Sequence, residues 1–208
     1  MGNFQKYGHV MIDLETLSTH TNAAIIEIGA VEFNKETGEI GDKFSVRITP
    51  SDWCNNGRHV DGETIVWWMK QSEDARKRYT ERGEGLIMNL KAALVKLSAF
   101  IRNCSEQVPS TDHHDTVVVW GNGATMDITI LESAYEYFGE TIPWKYWAVN
   151  DVRTIVDLNP SVKKGMKFDG VKHSAIDDCK HQIKYLVATL NTLKKTKYND
   201  KRNTATSY

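Results

Sequence analysis

Cysteine, net charge and long apolar runs are all scarce in this sequence. Only three of the 208 residues are cysteines, namely Cys54, Cys104 and Cys179, and they lie far apart with no Cys-x-x-Cys spacing. This pattern excludes a disulfide framework and a zinc cluster and is typical of a reducing compartment. No apolar stretch is long enough to span a bilayer, and the first six residues lack the apolar core of a signal peptide. We therefore expect a cytoplasmic protein with no membrane partner.

The formal net charge of -1 leaves the chain without an overall positive field. A polyanionic partner would have to be held by a local basic patch or by metal ions. Lysine and arginine do cluster at residues 76–78, 163–172 and 194–202, and we interpret these runs as solvated faces. The length is that of one domain. We expect a single domain over residues 1–195 and a flexible tail over residues 196–208.

The most informative stretch is Asp13-Leu14-Glu15-Thr16, which follows the apolar run of residues 9–12. Side chains on a strand alternate between its two faces, so Asp13 and Glu15 point the same way and converge. Two acids held together on a buried strand repel each other unless a cation lies between them. Carboxylate oxygens favour Mg²⁺ or Mn²⁺ over zinc. One interpretation is a metal site, and the other is an edge strand with two solvated acids.

The rest of the chain alternates between strand and helix patterns. β-Branched residues at 23–33 and the alternating apolar residues at 44–48 predict that the first three strands form a meander, and later short strands are expected at 116–120 and 147–149. Helices are predicted over residues 64–69, 72–79 and about 88–103, after the turn at 121–123, over 151–157, and from His173 or Ser174 onward, with a lysine-rich loop at 161–172. This order predicts a mixed α/β sheet with the acidic strand at its centre.

Two further places carry polar residues of interest. Asp127 lies in the first turn of the helix that follows Gly121-Asn122-Gly123, at the margin of its apolar stripe. An acid there either joins a site or interacts favourably with the helix dipole without any metal. His113 and His114 lie in a polar loop and are expected at the surface.

In order along the chain, the acids and one histidine match a known pattern. The series Asp13-x-Glu15, then Asp127, then His173-x-x-x-x-Asp178 resembles the DEDDh exonucleases, a group that includes polymerase proofreading subunits and ribonuclease T. Local motifs similar to the phage-type and RNase AS-like branch of that group stand at residues 11–16, 24–30, 64–68, 120–123 and 151–154. The resemblance covers nearly the whole chain up to the tail. It implies an RNase H-like fold, with a mixed five-stranded sheet flanked by helices.

The resemblance also implies roles for the site residues. The metal ligands would be Asp13, Glu15, Asp127 and Asp178, which together would hold two divalent cations, Mg²⁺ or Mn²⁺. His173 would be the general base, with Glu15 as its catalytic partner. Asp177 competes with Asp178, because helical geometry does not separate the two, and the family spacing selects Asp178. His181 is expected to be a surface residue.

Substrate contacts are implied for residues around the first acidic motif and the glycine turn, namely Leu14, Thr16, Leu17 and Asn122. Met126 stands where many relatives carry Phe, which puts base stacking at that position in doubt. Trp67 and Trp68 fit either a core or a stacking platform beside the site. Arg153 fits a pair with a nearby acid as well as a contact to phosphate.

The function implied is a metal-dependent 3′-to-5′ exonuclease that releases nucleoside 5′-monophosphates from single-stranded DNA or RNA with a free 3′ end. A catalytically inactive nucleic-acid-binding module of the same fold is the alternative, and a phosphoesterase acting on small nucleotides is a third. The RNase AS-like resemblance favours RNA and the phage-like resemblance favours DNA. Relatives are often dimers, so a homodimer is left open.

Overall fold

Six β-strands form one mixed sheet in the computed structural model, which describes residues 8–80, 85–105 and 116–205. In chain order they are β1 (His9–Thr16), β2 (Ile25–Phe33), β3 (Ile40–Ile48), β4 (Leu86–Met88), β5 (Val118–Gly121) and β6 (Val149–Asp151). Their order across the sheet is β4-β3-β2-β1-β5-β6. β1, β2 and β3 are antiparallel neighbours, whereas β5 pairs parallel with β1 and β6 parallel with β5. The predicted meander and the central position of the first strand are confirmed.

The sheet has one strand more than the five that were expected. The additional strand is β4, which pairs parallel with β3 at the edge of the sheet. It has three residues and lies just before the helix predicted from about residue 88, so it is too short to show an alternating pattern. The last strand is also displaced by two residues from its expected position, because Tyr146–Ala148 form a turn of 3-10 helix.

Helices cover both faces of the sheet. They are α1 (Pro50–Trp53), α2 (Gly62–Met69), α3 (Glu73–Thr80), α4 (Leu90–Ser105), α5 (Ala124–Phe138), α6 (Val152–Val156), α7 (Pro160–Lys164) and α8 (Ala175–Ala205). α4 and α5 pack on one face, and α6 and α8 on the other. Val10 and Ile12 of β1 face α4 and α5, whereas Met11 faces α8. Asp13 and Glu15 have the same parity as Met11, so they point towards α8.

The first turn of α8 lies directly against β2. A Cβ atom on Gly29 would stand 2.6 Å from the backbone carbonyl carbon of Ala175, a distance that no larger residue tolerates. The thiol sulfur of Cys179, one turn further along, lies 3.6 Å from the Gly29 carbonyl oxygen. Gly29 is the partner of Asp13 in the β1–β2 register. The glycine therefore brings the start of α8 beside the acidic end of β1.

Part of the predicted lysine-rich loop is helical. α7 covers the first residues of that segment, with Pro160 at its first position, where the missing N–H costs nothing. α8 continues to Ala205, past the expected domain end at residue 195, and the flexibility of residues 196–208 stays a prediction. His113 and His114 lie outside the described residues.

The three cysteines form no disulfide among the described residues, and Cys104 and Cys179 are buried. In the part of the chain that the structure describes, no helix combines the length and the apolar character needed to cross a membrane.

Candidate active site

Two of the predicted acids stand at the end of β1, on the face covered by α8. Glu15 is buried, with 7% of its surface exposed, and Asp13 is partly buried. The side-chain amide of Gln182 donates a hydrogen bond of 2.6 Å to Oδ1 of Asp13. Gln182 was not predicted from the sequence, although it lies one helical turn after Asp178 and so shares its face of α8. Helix and strand thus approach each other through polar side chains at this end of the sheet.

The predicted histidine and the last acid come from the start of α8. The backbone N–H of His173 donates to Oδ2 of Asp178 at 2.9 Å. One ligand atom each from Glu15, His173 and Asp178 all lie within 4.8 Å of one another. Residues more than 150 positions apart in the sequence therefore form one cluster of two carboxylates and an imidazole.

Asp127 approaches the same cluster of acids from α5, on the other face of the sheet from α8. It lies in the first turn of α5, which begins after Gly123, and only 6% of its surface is exposed. Burial raises the pKa of Asp127, whereas a hydrogen bond from the backbone N–H of Leu14 and the charge of Arg153 act in the opposite direction. Arg153 packs against Gly123, with its guanidinium carbon 3.2 Å from where a Cβ would stand. Asp127 is therefore linked directly to the end of β1.

Burial raises the pKa of all four carboxylates. Burial raises the pKa of Asp13 and Glu15 most, and the charges of the neighbouring acids raise it further. Burial also raises the pKa of Asp127 to about 7 and that of Asp178 to about 6. Within the described residues, no lysine or arginine forms an ion pair with any of the four. A set of oxygen donors that is so short of positive charge fits a hard divalent cation.

The ring of His173 packs against two aromatic side chains. Its centroid lies 4.8 Å from that of Trp67 and 5.8 Å from that of Trp68, both in edge-to-face geometry. Burial and the charge of Lys172 lower the pKa of His173 below its usual value of 6.5. The ring is therefore neutral at pH 7 and able to accept a proton.

A cavity of about 470 Å³ opens beside the cluster. Its walls include Leu14, Glu15 and Thr16 from β1, Trp67 from α2 and Met126 from α5. The indole N–H of Trp68 donates to the Thr16 carbonyl at 2.9 Å, which fixes the wall of the cavity to the end of β1. The cavity has room for a nucleoside, and one of the acids forms part of its surface.

A comparison of the sequence with models of known protein families identifies the family of this chain. The model of the Rv2179c-like 3′-5′ exoribonuclease domain matches residues 8–190. The chain belongs to this family. Family membership supports exonuclease activity, and the earlier resemblance to DEDDh exonucleases is confirmed.

Individual proteins that are similar to this chain include nucleases of several kinds. The exodeoxyribonuclease of Enterobacteria phage T4 is 25% identical over 201 residues, which span 83% of this chain and 85% of the phage protein. A full-length 3′-exonuclease superposes with a TM-score of 0.59 at 17% identity, covering 91% of this chain and 84% of that one. The nuclease domain of 3′hExo, a DEDDh family member bound to rAMP, has a TM-score of 0.56 at 16% identity, covering 92% and 95%. These solved structures confirm the RNase H-like α/β fold.

Among the substrate contacts predicted for this family member, only part lines the cavity. Leu14 and Thr16 do, whereas Leu17 packs with Ala24 and Ile26 and borders a separate apolar pocket. Asn122 lies outside the cavity wall, and its side-chain oxygen is buried with no hydrogen-bond partner among the described residues. The predicted role of each residue stays a prediction.

The residues left open by the sequence differ in their positions. Trp68 is buried and Trp67 is 44% exposed, and both line the cavity. Asp177 is not simply solvated, because it accepts hydrogen bonds from the Val171 N–H and the Lys180 amine. His181 is partly buried against Phe168 and Tyr185 rather than fully at the surface.

Proposed function

We propose that this chain is a metal-dependent 3′-to-5′ exonuclease that hydrolyses single-stranded nucleic acid and releases nucleoside 5′-monophosphates. The observation that supports this most is the convergence of four carboxylates and a neutral histidine beside a cavity that has room for a nucleoside. The family to which the chain belongs points to the same reaction.

The four carboxylates would hold two divalent cations, Mg²⁺ or Mn²⁺. The ligands would be Asp13, Glu15, Asp127 and Asp178. Bound there, the ions would lower the pKa of the attacking water and stabilise the leaving 3′ oxygen. With their charges compensated, the four carboxylates would no longer repel a phosphate, which accounts for nucleic-acid binding by a chain of net charge -1.

His173 would accept the proton of the attacking water on a ring nitrogen. Its lowered pKa leaves it neutral at pH 7, as a base requires. A ring nitrogen lies within 4.8 Å of carboxylate oxygens of Glu15 and Asp178, so a water between these groups is within its reach. Glu15 belongs with His173 as a catalytic residue because it would contact both the ions and this water.

The cavity would receive the terminal nucleoside. Leu14 offers apolar surface, Thr16 offers polar groups, and the exposed face of Trp67 offers a stacking surface for a base. The rest of the single-stranded nucleic acid, on the 5′ side of the scissile phosphate, would run over the lysines that precede α8. Lys163 and Lys172 are exposed, and burial together with the charges of Lys184, Lys163 and Lys172 lowers the pKa of His181, so both lysines lie near His181.

The family and the relatives point to different sugars. The family model is that of an exoribonuclease domain, whereas the phage T4 relative is an exodeoxyribonuclease. We infer that the cleft accepts a single-stranded 3′ end and that the preference for RNA or DNA depends on contacts to the 2′-hydroxyl.

The test is an assay of the purified protein on matched DNA and RNA oligonucleotides that carry a 5′ label, with Mg²⁺, Mn²⁺ or EDTA. We expect a ladder that shortens from the 3′ end, release of nucleoside 5′-monophosphates, and no cleavage in EDTA. Asp13→Asn and His173→Ala should lose activity, whereas Asp157→Asn, which changes an exposed acid, should keep it. Full activity of Asp13→Asn would contradict the proposal.

Two other outcomes would identify the alternatives. Tight binding of oligonucleotides without cleavage at saturating metal would indicate an inactive binding module. Hydrolysis of a mononucleotide ester as fast as of a polymer end would indicate a phosphoesterase for small nucleotides.

A further inference from the structure

The backbone of His173 adopts a conformation that it would not choose alone. Its φ angle is 62°, in the left-handed region, and it is the one non-glycine residue with positive φ in the described ranges. A side chain with a Cβ rarely occupies this region unless its surroundings hold it there. The contacts of His173 should therefore explain why the ring points at the carboxylates.

Two side chains hold the backbone of His173. Its N–H donates to Oδ2 of Asp178 at 2.9 Å, and its carbonyl oxygen accepts from the hydroxyl of Tyr79 at 3.2 Å. Tyr79 lies in α3, 94 residues earlier in the chain. The Asp178 contact comes from the active site itself, whereas the Tyr79 contact comes from a helix with no other role in the proposed reaction.

Tyr79 is itself fixed by a buried acid. Its hydroxyl lies 2.6 Å from Oε2 of Glu27, which is fully buried in β2, and the guanidinium of Arg78 bonds the other carboxylate oxygen. The single hydroxyl proton is shared between Glu27 and the His173 carbonyl as a three-centre hydrogen bond. Burial raises the pKa of Tyr79 well above its usual value, so the hydroxyl keeps this proton.

Tyr79 also packs against Trp68, one of the two tryptophans that contact the His173 ring. Its ring centroid lies 5.1 Å from that of Trp68, in an edge-to-face arrangement. Trp68 in turn packs against the ring of His173. Tyr79 therefore contacts the His173 backbone directly. It also packs against Trp68, which contacts the His173 ring.

We propose that Tyr79 is a positioning residue for His173: its hydroxyl, oriented by Glu27, holds the His173 backbone in the left-handed conformation and so directs the imidazole towards Glu15 and Asp178. The proposal rests on the proposed function in that His173 is the base of the exonuclease reaction. It also gives a purpose to Glu27, a residue of the motif at 24–30 that the metal site does not use.

The kinetic test is Tyr79→Phe, which removes only the hydroxyl. We expect kcat to fall about tenfold or more, with KM changed less than about twofold, since the base is misplaced while the cavity is intact. The matched control is Tyr135→Phe, because Tyr135 is also buried and its hydroxyl bonds Ser98 and the Leu94 carbonyl. This control loses comparable hydrogen bonds far from the site and should keep kcat.

The structural test follows the histidine in the metal-free full-length protein. Histidine is labelled with ¹³C, and the His173 ring resonance is assigned by its loss in His173→Gln. Tyr79→Phe should shift or broaden this resonance, and Tyr135→Phe should leave it unchanged. A change in kcat without a change in the resonance, a change in the resonance without one in kcat, or no change in either would overturn the proposal.

The two measurements separate the two proposals. If the wild-type protein shows no nuclease activity, the proposed function fails, whereas the His173 resonance alone still decides whether Tyr79 positions the ring. If the wild-type protein is active and Tyr79→Phe behaves like Tyr135→Phe, the positioning role fails and the proposed function stands.

Discussion

Glu15 and Glu27 are partners in the register of β1 and β2, and both are buried, yet their surroundings differ. Glu27 bonds Arg78 and Tyr79 of α3, so the protein itself supplies a cation and a donor. Glu15 lies within 4.8 Å of ligand atoms of His173 and Asp178, and burial followed by the charges of Asp178 and Glu27 raises its pKa. The same residue type is thus compensated at one position and left without an ion pair at the next.

The difference separates an acid whose charge the chain itself compensates from one whose charge it does not. A buried charge is costly unless a partner compensates it, so an acid that keeps its charge needs a cation from somewhere. At Glu27 that cation belongs to the chain and is permanent. Glu15 and the three aspartates around it have no such ion pair among the described residues, so a bound divalent cation would stabilise their charged forms. The contrast therefore supports a metal site at the end of β1 on physical grounds that do not depend on any motif.

The largest expected effect is on catalysis by Glu15→Gln. Removing one carboxylate from the proposed metal site should lower kcat/KM about 10³-fold, which corresponds to about 4 kcal/mol of transition-state stabilisation. Stability of the metal-free variant should not fall, since an uncompensated buried charge is removed. Nuclease assays and thermal unfolding of the same sample check both parts. A Glu15→Gln variant that is less stable than the wild type and fully active would contradict this view of Glu15.

The pH dependence of stability should show the repulsion among the acids directly. The pKa of Asp127 rises from 3.8 to about 7 in the folded protein, so the folded state binds this proton more tightly than the unfolded one. In EDTA, this group should make the protein less stable as pH rises from about 4 to about 7, by about 2 to 4 kcal/mol. Unfolding by denaturant at pH 5 and pH 8 measures the loss.

The control for that measurement is Asp127→Asn, which should lack this loss. The lowered pKa of His9, His173 and His181 acts with the opposite sign below pH 6.5, and it is common to both proteins. Added Mg²⁺ or Mn²⁺ should restore stability to the wild type at pH 8. If the free energy of unfolding depended on pH in the same way for both proteins, the pKa of Asp127 would not be raised in the folded, metal-free protein.

Glu27→Gln should lower stability and, because Glu27 orients Tyr79, should also lower kcat, although by less than Glu15→Gln does. It removes the charged partner of Arg78, whose side chain is 31% exposed and therefore partly solvated. We expect a loss of about 1 to 3 kcal/mol in the free energy of unfolding. Denaturant unfolding of Glu27→Gln beside Glu15→Gln makes the comparison direct, and equal stabilities for the two variants would contradict it.

The smallest effect should come from lysines beside the site. Lys163→Gln with Lys172→Gln should weaken binding of a long single strand several-fold and reduce the slope of log K against log salt by about 1.4, since each phosphate contact contributes about 0.7. The matched control is Lys91→Gln with Lys96→Gln on α4, on the opposite face of the sheet. Fluorescence anisotropy at several salt concentrations measures the slope for each double variant. Equal slopes for the two would show that the nucleic acid does not run over Lys163 and Lys172.

Local pattern was sufficient for some elements and insufficient for others. The alternation along β1 predicted that Asp13 and Glu15 share a face, and the helical stripe of α4 gave its position to within about two residues. β4 was missed because its three residues pair only through β3. Arg78 was interpreted as part of a solvated run, because nothing near it in the sequence indicates a partner 51 residues away.

The sequence by itself determined the chemistry of this protein: the acids, the histidine, their order along the chain and the strand that carries the first two. These follow from residue type and from the short-range periods of strands and helices. Only the tertiary structure decided which acid receives a cation from the chain, that Gln182 bonds Asp13, and that the Tyr79 hydroxyl contacts the His173 carbonyl. Those outcomes depend on how distant elements pack, through contacts such as Gly29 against Ala175, and no local period encodes such contacts.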